Sequence, residues 1–183
     1  MQKYLMFLII ALIFPTITYG GEWNNQFGLS YSSSFSDVED LYKDNLERSG
    51  YRVEDVSGLP VGASYSGHYQ FNNGFFVGGG LGPIFLILGD VSHSEIAVNG
   101  KIGWTFFSGS TVSPFISAGI SKHIVTGDYV EGDSAGPLVE AGIKINQFGV
   151  KVTHDGSEVV FQSEGGNKTL NSYDTIVTLF FEF

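Results

Sequence analysis

Apolar and polar positions alternate with a period of two along most of this chain. Phe27, Leu29, Tyr31 and Phe35 share one side, with Gly28, Ser30, Ser32 and Ser34 on the other. Val61, Ala63, Tyr65, Tyr69 and Phe71 then stand against Gly62, Ser64, Ser66, His68 and Gln70. The same alternation predicts strands over about 75–88, 95–107, 114–126, 136–146 and 148–155, and a closing strand that ends at Phe183. The connections fall into two classes. Those near 72–74, 108–111 and 146–148 are short, and Asn72-Asn73-Gly74 offers the positive φ of a tight hairpin. Those near 36–59, 88–95, 127–135 and 160–169 are longer and more polar. Strict alternation of short and long connections predicts an all-β chain, an eight-stranded up-and-down antiparallel barrel with both ends on the short-turn side.

One helix interrupts the strands. Ser36-Asp37-Val38-Glu39 reads as a capping box, Val38, Leu41, Tyr42 and Leu46 follow at helical spacing, and Gly50 is a stop. Its other side is acidic, with Asp37, Asp40, Asp44 and Glu47. The pattern predicts a short helix in the first long loop, as a cap over one mouth of the barrel, with a partner-binding helix or one folded into the lumen as the alternatives.

Alternation alone does not say which face meets water, but composition does. Only 15% of the residues are charged, whereas a water-facing surface is about a quarter to a third charged. The polar rows are mostly Ser, Gly, Thr and Asn, which suit the narrow lumen of an eight-stranded barrel. The apolar rows are aliphatic in the middle and aromatic near the short turns: Phe27, Phe71, Phe75, Trp104, Phe106, Phe148, Phe181 and Phe183. The expected fold is therefore a transmembrane β-barrel, whose closure leaves no open sheet edge in hydrocarbon.

Residues 1–20 read as a cleaved signal peptide, with Lys3, an apolar run to Pro15 and the small-residue site Thr18-Tyr19-Gly20. The barrel domain is then 21–183. There is no Cys, which excludes disulfides, thiolate metal sites and a lipoprotein anchor. A net charge of -10 argues against a nucleic-acid partner.

The closing row Tyr173, Thr175, Val177, Leu179, Phe181 and Phe183 resembles the assembly signal of bacterial outer-membrane barrels. That resemblance implies recognition by the barrel-assembly machinery, with Tyr173, Leu179, Phe181 and Phe183 as its residues. In size and strand count the chain resembles the small OmpA/OmpX-type barrels over about residues 26–183. This implies a Gram-negative outer-membrane location, in contact with outer-membrane lipid and lipopolysaccharide, and no cofactor.

Inward parity gathers Glu95, Lys101, Glu140, Lys144, Lys151, Asp155, Asp174 and Glu182. Charges in an interior must be paired, so these predict an ion-pair network filling the lumen, with a proton or ion path as the alternative. Gly78-Gly79-Gly80-Leu81-Gly82 leads into Pro83 rather than a helix, so it reads as strand curvature or room for an interior neighbour, not a phosphate loop. His68, His93, His123 and His154 show no ligand spacing, and Asp128, Glu131 and Asp133 match no calcium loop, so no metal site is expected. The stretch Gly149–Gly156 followed by Asn171-Ser172-Tyr173 resembles the last hairpin of the lipid A deacylase barrels. Here Gly156 stands where that family has its Ser, Ser157 falls on the opposite face, and Asn171 stands where it has its acid. The expected function is a non-enzymatic outer-membrane protein with a structural or surface-interaction role and acidic extracellular loops. The alternatives are a deacylase-like lipid A-modifying enzyme and a narrow porin-like barrel.

Overall fold

The computed structural model describes residues 20–50, 57–88, 92–163, 166–171 and 173–183. The predicted signal segment up to residue 19 lies outside the described residues.

The strands are β1 (Gly21–Ser32), β2 (Ser57–Leu59), β3 (Val61–Phe71), β4 (Phe75–Leu88), β5 (His93–Thr105) and β6 (Val112–Gly127). They continue as β7 (Val130–Ile145), β8 (Phe148–Asp155), β9 (Glu158–Phe161), β10 (Lys168–Leu170) and β11 (Thr175–Glu182), and the helix α1 spans Phe35–Arg48. Eight of the strands close a ring, in the order β1-β3-β4-β5-β6-β7-β8-β11 and back to β1. Every pairing in it is antiparallel. The seam is the pairing of the first strand with the last, in a register that sets Leu29 opposite Leu179 and Gln26 opposite Glu182.

Alternation puts each strand's apolar row outside. On β6, Ile120 is 67% exposed while Ser121 is fully buried, and on β11 Leu179 is 65% exposed while Thr178 is 2% exposed. Such a molecule is apolar outside and polar inside. Phe27, Trp104, Phe106, Phe148 and Phe183 are exposed near the short turns, joined by Trp23 and Phe107. Phe71 is buried instead, its ring covered by those of Tyr69 at 5.0 Å and Phe75 at 5.7 Å.

Several boundaries differ from the sequence expectation. The first strand starts six residues earlier, at Gly21, and Phe35 belongs to the helix. The loop expected at 127–135 is almost absent, because β6 and β7 run on to a turn at Asp128-Tyr129. Past the ring, β7 pairs with β9 and β9 with β10, while β2 pairs with the end of β4. The wall at the loop end is thus taller than a bare barrel. The ladder between β4 and β5 shifts register between Leu81 and Ile84. There Gly82 takes φ +91°, and a Cβ on it would sit 2.5 Å from the Ala63 carbonyl oxygen, so this bulge needs glycine.

The capping box does not form. The helix begins at Phe35 after Ser34, the Ser36 hydroxyl donates to the Ser33 carbonyl at 2.8 Å, and Glu39 pairs with Lys43 one turn on. The reason is tertiary: Phe35 is fully buried, with its ring 5.0 Å from that of Phe85. Gly50 does act as the stop, at φ +80° with its N–H donating to the Glu47 carbonyl. The helix caps the loop end. Phe35, Val38, Leu41, Tyr42 and Leu46 pack on Phe85, Ile87, Val159 and Phe161 in one apolar cluster.

Candidate functional site

The interior row of every strand converges on the lumen, which holds two separate polar clusters. In the cluster nearer the short turns, Glu140 of β7 is the hub. Its Oε1 accepts from Lys101 Nζ at 2.7 Å and from the Ser117 hydroxyl at 3.3 Å. Its Oε2 lies 2.8 Å from Lys151 Nζ and accepts from the Thr153 hydroxyl at 3.3 Å. One carboxylate thus meets two buried ammonium groups and two hydroxyls, the full pairing that a low-dielectric interior demands.

Below it, Glu182 accepts from Gln26 Nε2 at 2.9 Å and pairs with Lys144, and His68 Nε2 stands 3.9 Å away. Three inward rings, Phe76, Phe115 and Phe180, fill the remaining space, and Lys151 Nζ sits 5.8 Å from the Phe180 centroid. A Cβ on Gly149 would meet the Phe180 ring at 2.2 Å. Glycine therefore makes room for an interior aromatic here. These inward aromatics were not expected from rows read as small and polar.

The second cluster lies under the helix and runs as a chain. The Tyr42 hydroxyl is 3.0 Å from His93 Nδ1, and His93 Nε2 is 3.3 Å from Glu95 Oε2. Glu95 Oε1 is 2.7 Å from His123 Nδ1, and His123 Nε2 is 3.4 Å from Asp155 Oδ2. Asp155 Oδ1 accepts from the Ser157 hydroxyl at 2.6 Å and from the Ser157 N–H at 2.9 Å. All six side chains are essentially without solvent contact. Burial pushes the Tyr42 phenol above its ordinary value, so it stays protonated. Tyr173 completes the packing: its ring lies tilted against that of His123, centroids 4.1 Å apart, and its hydroxyl donates toward the carbonyls of Pro83 and Glu95.

Of the residues that parity gathered, Lys101, Glu140, Lys144, Lys151 and Glu182 meet in the first cluster, and Glu95 and Asp155 in the second. Asp174 belongs to neither. It is exposed beside His154, with Oδ1 3.3 Å from His154 Nδ1. The chain turns at 173–174 before β11, with the Tyr173 N–H on Asn171 Oδ1, so strand parity does not extend back to Asp174. For the same reason Tyr173 is buried rather than outward with Leu179, Phe181 and Phe183. His93 and His123, read from sequence as strand or loop histidines without a ligand role, are linking members of the buried chain. Parity had the signal, since His93 shares a side with Glu95, and His123 with Ser117 and Ser121.

The arrangement does not assemble the deacylase triad. His154 faces outward and is held by the Asp174 carbonyl at 2.7 Å, whereas Ser157 is fully buried on Asp155 and the Ser121 carbonyl. Among the described residues no group of His, Asp and Glu is placed to hold a metal ion.

Between the two clusters lies a cavity of about 40 Å³, lined by Asn99, Lys101, Lys151, Thr153 and Asp155 among others, and a second of about 20 Å³ borders Glu182 and His68. Each has room for only a few waters.

No family model matches the chain, and no curated protein matches it. Solved structures do. The outer membrane protein OprG from Pseudomonas aeruginosa is 10% identical, with 90% of this chain and 97% of that one covered at a TM-score of 0.54. Neisserial surface protein A is 12% identical over 89% of this chain and 97% of its own, at a TM-score of 0.49. Ail, the attachment invasion locus protein of Yersinia pestis, is 13% identical over 89% and 99%, at 0.45. At these identities the likeness concerns the fold, and the likeness to OprG carries it: the chain has the closed antiparallel fold of the eight-stranded outer-membrane β-barrels.

Proposed function

We propose that this chain is a non-enzymatic integral protein of the Gram-negative outer membrane, exported on the cleaved segment 1–20 and inserted by the barrel-assembly machinery. The observation that carries this is the inversion of its faces: an apolar belt outside and paired charges inside. Lipid solvates such a belt, and water would not.

A surface-interaction role is supported over conduction. The lumen is occupied by the Glu140 hub and by Phe76, Phe115 and Phe180, and α1 covers the loop end. What the barrel presents at its loop end is a surface of helix, extended strands and acidic side chains. An enzymatic reading has little support in the His154 and Ser157 geometry, because base and nucleophile point to opposite faces of the wall.

Fractionation of expressing cells, with gel mobility before and after boiling, tests the proposal. A heat-modifiable band in the outer-membrane fraction is the expected result. A band in the soluble periplasmic fraction overturns it.

A further inference from the structure

At the loop end, three segments distant in sequence enclose an open cleft of about 510 Å³, within the size range of small-molecule sites. The C-terminal turn of α1 supplies Asn45 and Arg48, the β6–β7 turn supplies Tyr129 and, just beyond it, Glu131, and the residues just after β9 and just before β10 supply Gln162 and Asn167. The walls are tied together. Asn45 Nδ2 donates to the Gln162 carbonyl at 3.0 Å, the Gln162 N–H donates to the Tyr129 carbonyl at 2.8 Å, and Gln162 Nε2 bonds Glu131. Tyr129 is braced from below, edge-on to the buried Tyr42 ring at 5.1 Å. These bonds hold the described walls of the cleft to one another.

Its chemistry is mixed and nearly neutral. Asn167 offers a donor and an acceptor, Asn45 and Gln162 each keep one N–H and their side-chain oxygen beside the bonds that tie the walls, Arg48 and Glu131 contribute one charge of each sign, and one aromatic ring is present. Many paired donors and acceptors beside a ring match a polyhydroxylated ligand with apolar C–H faces. An anionic ligand fits poorly, since α1 exposes Asp40, Asp44 and Glu47 close by and the chain carries a net charge of -10.

We propose that this cleft binds a neutral saccharide. The inference deepens the surface-interaction reading and rests on the loop end facing outward. The saccharide is either a sugar of the cell's own lipopolysaccharide or a foreign glycan.

The test is saturation-transfer NMR on the full chain in lipid nanodiscs, free of glycoside detergents, with sucrose, lactose and chitobiose as probes. A polysulfated disaccharide and the neutral, dephosphorylated outer-core oligosaccharide released from lipopolysaccharide form two further arms. Saturable binding of a neutral disaccharide, with Kd on the order of millimolar, is expected. Tyr129→Ala should weaken it about tenfold and Asn167→Ala measurably, each variant keeping the heat-modifiable fold. Competition by the core oligosaccharide assigns the sugar to the cell's own surface, and its absence assigns a foreign glycan. No binding by any neutral probe overturns the proposal. So does binding that both variants leave unchanged, or tighter binding of the polysulfated probe. If sugar binding fails while the protein still fractionates with the outer membrane, only this inference falls.

Discussion

The Tyr42 hydroxyl stands 3.0 Å from Nδ1 of His93, and both side chains are buried. This contact joins the helix cap to the barrel wall, and through His93 to the chain of Glu95, His123 and Asp155. The apolar face of α1 gives the cap its affinity for the mouth, while the Tyr42 contact fixes its seating. Tyr42→Phe removes one oxygen and leaves a buried ring nitrogen without its partner, at a cost of about 1–3 kcal/mol. The barrel is expected to remain heat-modifiable. Limited proteolysis should cleave the segment between β1 and β3 faster than in the parent, and an unchanged cleavage rate would sink this account of the cap.

Glu140 is the residue whose loss should cost most. Glu140→Ala strands Lys101 and Lys151 in the lumen without a counter-charge, and breaking a buried pair in this way costs about 3–5 kcal/mol. Replacing all three by apolar residues of similar size should restore most of that stability, because no buried charge is then left over. Urea titration of the folded band in vesicles reads both. If Glu140→Ala and the triple variant are equally stable, the network does not hold the barrel.

Two neighbours on β11 separate the faces. Leu179→Arg places a charge on the outward belt, where an arginine near the middle of a bilayer costs about 2–4 kcal/mol. Thr178→Val changes only an interior hydroxyl, bonded to Ser30 at 2.8 Å, and should cost about 1 kcal/mol. The ordering of the two in vesicle refolding is the measurement. A reversed ordering would mean that lipid does not cover the outer face.

Much of this molecule is legible in the period-two pattern, because a barrel strand has one polar and one apolar side along its whole length. The eight ring strands, the short turns, and the inward placement of Glu95, Lys101, Glu140, Lys151, Asp155 and Glu182 all follow from parity. Parity fails where the backbone leaves the strand. Tyr173 and Asp174 sit at a turn and so exchange their expected environments. It also says nothing about partners, since Glu95, His123 and Asp155 lie on three different strands and meet only because the closed sheet brings them to one level. The early start of α1 is a third kind of miss: a local cap signal at Ser36 gives way to the burial of Phe35.

Filled as it is, the lumen should not conduct. Planar-bilayer recording of the parent protein is expected to be silent. Removing α1 alone should leave it silent, because the Glu140 hub and the three inner rings lie nearer the other mouth. Steady ion-selective openings in the parent would revive the porin-like reading.

Phe183 carries two roles that a single deletion confuses. Its N–H donates to the Asn25 carbonyl and its carbonyl accepts from the Asn25 N–H, each at 2.9 Å, while its ring is 58% exposed at the rim. Deletion removes both the ladder bonds that close the seam and the ring that the assembly machinery is proposed to read. Phe183→Ala removes the ring alone. If the ring is a recognition element, Phe183→Ala should refold into vesicles at nearly the parent rate yet accumulate poorly in the outer membrane of cells. If the ring matters only for closure or lipid contact, refolding and cellular assembly should fall together. Equal, undiminished assembly of Phe183→Ala in cells would remove the sorting role and leave the last residue as the end of a strand.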